Sequence, residues 1–312
     1  MRRRSLIAIV SYMVVALSAC APPVTQPPPG ATGPSDGCGT TVEGPGTERS
    51  GALVVDGVER FYTITVPPNH VSGTTTPVPL VLDFHGLLEG TLRTHPIATQ
   101  FSAKATANGF AVAFPIGQNN GFNWDFSARE SNPDLRFVDA LVAHLGTTMC
   151  IDRSRMYVTG LSNGAAFTSM LMCMRTNTFA AAAPVAGVMD LCAATDRDMP
   201  LVTFHGTADP ILPYSGFADV PRAIASKYAC DDPPTVQTLE PDPDPSTNGP
   251  ITLTNWDCGG DRSKVESYVI GGGGHSWPGS FFFQLIGFVV GPTATSIDAT
   301  DVIWDFFSRH HL

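Results

Sequence analysis

The chain has 312 residues, with 18 Lys and Arg against 28 Asp and Glu and a net charge of −10 when its histidines are neutral. That acidic balance disfavours nucleic acid and anionic polymers as partners. Roughly 270 residues beyond an N-terminal leader and tether are enough for one α/β domain with a substantial core.

In chain order, the first signal is a leader. Met1-Arg2-Arg3-Arg4 is a basic start, Leu6 to Leu17 is apolar, and Leu17-Ser18-Ala19-Cys20 follows. The apolar run is too short and wrongly flanked for a transmembrane helix. The pattern is that of a bacterial lipoprotein signal, with residues 1–19 removed and Cys20 diacylated as the first mature residue. An ordinary secretory signal is the alternative, and Arg3-Arg4-Ser5-Leu6-Ile7 leaves twin-arginine export open beside the general route. Residues 20–37 are dominated by Pro, Gly, Thr and Ser and read as a tether. Residues 38–312 read as one catalytic domain. Membrane contact is expected through the lipid only, and the domain is expected to be a monomer at the cell surface or in the periplasm.

Ala52-Leu53-Val54-Val55 and Phe61-Tyr62-Thr63-Ile64-Thr65-Val66 flank Asp56-Gly57, a hairpin signal that predicts an antiparallel start to the sheet. Strands follow near 79–84, 110–114, 155–159, 180–186, 200–205 and 265–270. Helices are predicted near 96–108, 134–146, 163–175, 217–229 and 298–309. Strands alternating with helices predict an α/β fold with a mostly parallel sheet covered on both faces. Asp231 to Pro250, rich in Asp and Pro, reads as a surface loop.

Chemistry concentrates at four of these strand ends. Gly160-Leu161-Ser162-Asn163-Gly164 lies between a strand and an Ala- and Met-rich helix, where a sharp turn lifts the Ser162 hydroxyl clear of the backbone. Thr207-Ala208-Asp209-Pro210 places a carboxylate after the next strand but one, and Gly271-Gly272-Gly273-Gly274-His275 delivers a histidine on a loop. The order Ser, Asp, His is that of α/β-hydrolases. A serine hydroxyl is a poor nucleophile near neutral pH, so His275 would take its proton and return it to the leaving group. Asp209 would hold the histidine tautomer and stabilise the imidazolium. The strand Pro79 to Phe84 runs into His85-Gly86, and the backbone N–H groups of Leu87 and Asn163 would form an oxyanion hole. Side chains at Leu87 and Asn163 are then only loosely constrained. His85 and His205 read as structural, His310 and His311 as a tail, and His70, His95 and His144 have no partners at metal-ligand spacing. Neither a metal nor another cofactor is expected.

His85-Gly86, Gly160-Leu161-Ser162-Asn163-Gly164, Ala183-Pro184-Val185-Ala186-Gly187, His205-Gly206-Thr207-Ala208-Asp209-Pro210 and Gly272-Gly273-Gly274-His275-Ser276-Trp277-Pro278-Gly279 resemble the polyhydroxybutyrate depolymerase and feruloyl esterase superfamily of secreted esterases. The resemblance runs from about Cys38 to the C-terminus. It implies a single α/β-hydrolase domain with Ser162 as nucleophile, Asp209 as acid and His275 as base. Two stretches depart from the family pattern. Leu87-Leu88-Glu89-Gly90 replaces polar, glycine-rich residues, and Ser280 to Val290 after the histidine loop is unusually hydrophobic.

The implied activity is an exported serine esterase working through an acyl-enzyme. Its expected substrates are short-chain hydroxyalkanoate polyesters or their oligomers, with feruloyl or acetyl esters of plant polysaccharide as the alternative. An inactive lipid-anchored binding module on the same scaffold is the non-enzyme alternative. Trp124 resembles a family tryptophan near the acyl pocket, and Trp277 and Tyr214 are expected in the same cleft. The segment Ser280 to Val290 is expected to wall or overhang it. Setting Cys20 aside leaves six cysteines, an even number that argues for disulfides in an exported chain. Many pairings are open; the one favoured is Cys173–Cys192, Cys230–Cys258 and Cys38–Cys150.

Overall fold

Asp56 and Gly57 both adopt left-handed backbone conformations, φ 52° and 79°, which is what a two-residue hairpin turn demands. The turn joins β1 (Glu48–Val55) to β2 (Val58–Thr65) in full antiparallel register. The structure, a computed structural model, describes residues 32–40, 46, 48–239, 247, 249–259 and 264–312. The leader and Cys20 lie outside the described residues.

After the hairpin come β3 (Val78–Phe84), three short helices α1 (Glu89–Leu92), α2 (His95–Thr99) and α3 (Phe101–Asn108), then β4 (Ala111–Pro115) and the short α4 (Gln118–Gly121). The chain continues through α5 (Pro133–Thr148), β5 (Ile151–Leu161), α6 (Asn163–Met174), β6 (Ala181–Val185), β7 (Leu201–Gly206) and α7 (Val220–Lys227). It closes with β8 (Thr235–Thr238), β9 (Ile251–Asp257), β10 (Lys264–Ile270), α8 (Phe281–Leu285), α9 (Gly287–Val290) and α10 (Ala299–Ser308).

The strands form one sheet in the order β1-β2-β4-β3-β5-β6-β7-β10-β9-β8. The six central strands, β4 to β10 in that order, run parallel, and both edges are antiparallel. Every residue of β3, β4, β6 and β7 is buried, as expected for strands covered on both faces. Alternate residues feed two separate cores. Leu80, Leu82 and Phe84 meet Phe137, Leu141, Phe167 and Leu171 of α5 and α6 on one face. Val81, Val112 and Tyr157 meet Phe101 of α3 and Ile303, Phe306 and Phe307 of α10 on the other. The α/β-hydrolase architecture is thus present, with the antiparallel N-terminal hairpin in its expected place.

Beyond shifts of a few residues at element ends, such as β5 starting at Ile151, three features differ from the sequence reading. The predicted helix at 96–108 is two helices, because Gln100 takes a left-handed conformation, φ 57°, between α2 and α3. The stretch read as a loop after Cys230 contains the edge strand β8, and Ile251–Asp257 adds β9 between it and β10. The end of the tether is docked: Ser35 Oγ donates to Met149 O at 2.6 Å and accepts from Ile151 N–H at 2.8 Å, and Asp36 pairs with Arg153. Among the described residues, packing against the domain is therefore seen from Gly33 onward, ahead of Cys38. Disulfides join Cys38 to Cys150, Cys173 to Cys192 and Cys230 to Cys258, the pairing favoured from sequence.

Candidate active site

Strand β5 ends at Leu161 and α6 begins at Asn163, so Ser162 alone makes the turn. Its backbone stands at φ 57°, ψ −115°, a conformation that a non-glycine residue holds only when its surroundings impose it. Those surroundings are tight. A Cβ on Gly164 would lie 2.1 Å from Phe84 O, so the first turn of α6 can approach the end of β3 only with glycine there. The Asn163 N–H, at the first position of α6, has no intrahelical acceptor and points from the positive end of the helix. Ser162 is half-buried and its hydroxyl makes no hydrogen bond among the described residues.

Asp209 and His275 come from the neighbouring parallel strands β7 and β10, at the same end of the sheet. His275 Nδ1–H donates to Asp209 Oδ2 at 2.7 Å, and both residues are buried. Because a carboxylate only accepts, this bond places the proton on Nδ1 and leaves Nε2 as the free base. Asp209 Oδ1 accepts from the N–H groups of Ile211 and Leu212, each at 2.8 Å. Burial works against the charged carboxyl, but hydrogen bonds from His205 and His275 outweigh it and hold Asp209 well below the usual carboxylate range. His205 makes the backbone bond expected of a structural residue, to Leu212 O at 2.9 Å, and also lies 3.3 Å from Asp209 Oδ2. The second contact has no local sequence signal.

The histidine loop is not the flexible tether its glycines suggest. Gly274 N–H donates to Pro292 O and His275 N–H to Val290 O, both at 2.6 Å, and Ala208 N–H donates to Gly273 O at 2.9 Å. A Cβ on Gly274 would sit 2.2 Å from Val290 O. The glycine run permits close packing of three backbone segments rather than motion.

The third wall is the turn after β3. His85 is buried, accepts from Gly117 N–H through Nε2 at 2.9 Å and donates through Nδ1 to Gly86 O at 2.8 Å. Burial pushes it down to about 4, so it is a neutral brace and not a base. The Leu87 N–H takes no acceptor among the described residues. Asn163 is more constrained than a backbone role requires: its side-chain Oδ1 accepts from Trp124 N–H at 2.6 Å and its Nδ2 donates to Trp124 O at 3.2 Å.

Two expected substrate contacts are corrected by burial. Trp124 is only 1% exposed, stacks on Phe167 and donates from Nε1 to His85 O at 3.0 Å. Trp277 is equally buried, packs on Phe101 and His95 and donates to Thr300 Oγ1. Each ring sits in one of the two cores and braces the site from beneath. Tyr214 is half-buried beside His205, behind the acid. His310 is no tail residue either, since it is buried and its carbonyl accepts from the Tyr157 hydroxyl.

Ser280 to Val290 divides by face. Phe283 is buried against the core, whereas Phe281, Leu285, Phe288 and Val289 are 64%, 61%, 88% and 56% exposed. The exposed group is anchored to the site through Val290, whose carbonyl holds His275 N–H.

Residues 98–210, which carry Ser162 and Asp209, match the prolyl oligopeptidase family. The chain is 25% identical over 278 residues to "Probable feruloyl esterase C" of Aspergillus niger, covering 88% of this chain and 90% of that protein. It is 27% identical to a protein named as an esterase in Nocardia uniformis subsp. tsuyamanensis, over 97% of each. An acetyl xylan esterase from Aspergillus awamori superposes with a TM-score of 0.58 at 19% identity, over 77% of this chain and all of that one, and shows the shared fold.

Proposed function

From the premise that the chain belongs to a feruloyl esterase-like family of α/β-hydrolases and is a carboxylic ester hydrolase, we propose that it cleaves esters through an acyl-enzyme formed on Ser162. The observation that carries this is the strained Ser162 turn at the end of β5 together with the His275–Asp209 bond at the ends of β10 and β7.

In this reading His275 Nε2 takes the Ser162 proton as the hydroxyl attacks the ester carbonyl. The oxyanion that forms accepts from the N–H groups of Leu87 and Asn163, a contribution on the order of 3 kcal/mol for each donor. His275 then protonates the leaving alcohol, and water repeats the sequence to release the acid. Asp209 stays ionised throughout, held by four donors.

The relatives favour feruloyl or acetyl esters of plant polysaccharide as the substrate class. The exposed Phe281, Leu285, Phe288 and Val289 favour a second reading, in which a hydroxyalkanoate polyester or its oligomers dock beside His275. We also propose that the chain is exported and held by a diacylated Cys20; the three disulfides fit an oxidising compartment.

The test is turnover of a chromogenic acetyl ester by the purified mature domain and by Ser162→Ala. Wild-type turnover that falls about 10⁴-fold or more in the variant supports the assignment. A Ser162→Ala protein that keeps a tenth of the rate sinks it. Product analysis on feruloylated arabinoxylan against hydroxybutyrate oligomers then separates the two substrate readings.

A further inference from the structure

Directly behind the proposed oxyanion turn lies a buried chain of charged groups that the triad does not use. Glu89 Oε2 accepts from Gly86 N–H at 2.6 Å and from His95 Nδ1 at 3.0 Å. His95 Nε2 in turn donates to Asp83 Oδ1 at 2.8 Å, and the Thr99 hydroxyl donates to Asp83 Oδ2 at 2.7 Å. Asp83 and His95 are buried, and Glu89 carries its carboxylate inward from a half-buried position. With a carboxylate on each side, both imidazole nitrogens donate and the ring is an imidazolium.

This chain grips one residue, Gly86, through the two peptide groups that flank it. The carboxylate of Glu89 holds the N–H of the peptide before it, and the Glu89 N–H and His85 Nδ1–H hold the carbonyl of the peptide after it. The backbone N–H of Glu89 donates to Gly86 O at 3.3 Å while its side chain holds Gly86 N–H, so one residue clamps Gly86 at both ends. His85 Nδ1–H adds a second donor to the same carbonyl at 2.8 Å. The Gly86 carbonyl and the Leu87 N–H belong to one planar trans peptide, and they point in opposite directions. Fixing the carbonyl therefore fixes where the Leu87 N–H aims. Leu88, next in line, is held at φ 69°, a left-handed conformation that a leucine adopts only under such restraint.

We infer that Glu89, locked by the His95–Asp83 pair, is a positioning residue that aims the Leu87 N–H at the developing oxyanion. The inference rests on the reading of Ser162 as the nucleophile. A charge-assisted acceptor is shorter and stiffer than a neutral one, and an oxyanion donor works only when it is already aimed before the charge appears.

Glu89→Gln is the informative variant, because Glu89→Ala would open onto the adjoining cavity of about 140 Å³ lined by Asp83, His85 and His95 and admit water there. With a chromogenic acetyl ester, kcat should fall roughly 10- to 100-fold while KM stays within about two-fold, as for a misaimed donor. Affinity for a trifluoromethyl ketone, which adds to the serine and places an oxyanion in the hole, should fall by the same factor. A merely structural role would lower the melting temperature without moving that affinity. Values of kcat and ketone affinity within two-fold of wild type overturn the inference, as does a lowered kcat with ketone affinity retained. If Glu89→Gln does not accumulate as folded protein, Thr99→Val removes a hydrogen bond at the far end of the chain and carries the same paired test. Wild-type turnover and its loss in Ser162→Ala are scored first. If those fail, the nucleophile assignment falls; if they hold and kcat and ketone affinity are unchanged, only the positioning role falls.

Discussion

At the scale of single residues, Asp209 and His95 lead to opposite expectations. Asp209→Asn keeps the shape but offers an N–H₂ or a neutral oxygen to His275 Nδ1, so the tautomer with Nε2 free is no longer selected. Its kcat should fall by about 10⁴-fold with the fold intact. Retained activity in that variant, with another acid such as Asp190 or Asp198 proving essential, would mean the acid was misassigned. His95 concerns stability instead. Burial disfavours its charged form, but Asp83 and Glu89 more than offset this and push it up to about 10. A group raised in the folded state stabilises fully below its unfolded value near 6.5, and that stabilisation is lost as pH rises toward 10. Wild-type melting temperature should therefore fall between pH 7 and pH 10, reflecting on the order of a few kcal/mol. In His95→Gln the curve should be flatter over the same window; equal slopes in the two proteins would contradict it.

Among the elements, α8 and α9 illustrate how a hydrophobic run divides once folded. The sequence Phe281-Phe282-Phe283 offers no reason to separate its members, yet Phe283 faces the core and Phe281 faces solvent. The Ser280 hydroxyl accepts from Phe283 N–H and starts α8, and that helical phase decides which ring is buried. Replacing Phe281 and Phe288 with serine should raise KM for bulky apolar esters and leave acetyl ester turnover and melting temperature nearly unchanged. Phe283→Ser should instead cost about 3 to 5 kcal/mol of stability, as large-to-small core replacements do. A double surface variant that melts far lower with KM unaltered would make the whole segment core.

The same scale shows why β8 and β9 went unread. Thr235 to Thr238 is exposed along its whole length, so it carries no hydrophobic alternation. Ile251–Asp257 is β-branched and does alternate, but its place beside an Asp- and Pro-rich stretch masked it. By contrast the central strands were legible, because burial on both faces demands unbroken apolar runs. The break at Gln100 was illegible for the opposite reason: glutamine is a good helix former, and the left-handed turn between α2, which contacts α8, and α3, which contacts β4 and α10, has no local sequence signal.

For the whole molecule, the disulfides bracket very different lengths of chain. Cys38–Cys150 closes 112 residues and ties the docked N-terminal segment to the start of β5, whereas Cys173–Cys192 closes 19. In the chain-entropy model the longer closure contributes about 1 to 2 kcal/mol more. Replacing Cys38 and Cys150 with serine should lower the melting temperature more than replacing Cys173 and Cys192; the reverse order would show that native-state contacts dominate. Cys20→Ser should release the protein from the membrane fraction without changing turnover per folded molecule. An intact mass showing cleavage elsewhere and no acyl adduct would remove the anchor.

What the sequence determined by itself was whatever depends on neighbours along the chain. Glycine spacing around Ser162, apolar runs in the central strands, the Asp56-Gly57 turn and the Ser, Asp, His order are all local sterics or topology, and they pointed to an α/β-hydrolase with those three candidates. The tertiary structure alone decided what depends on burial and on contacts between distant segments. Trp124 and Trp277 look like cleft aromatics in sequence but fill opposite cores, because each indole N–H finds its partner only after folding. His95, with no companion at a recognisable spacing, becomes a buried cation because Asp83 and Glu89 arrive from a strand end and a short helix. Electrostatic partnership falls off with distance in space, and spacing along the chain carries little record of it.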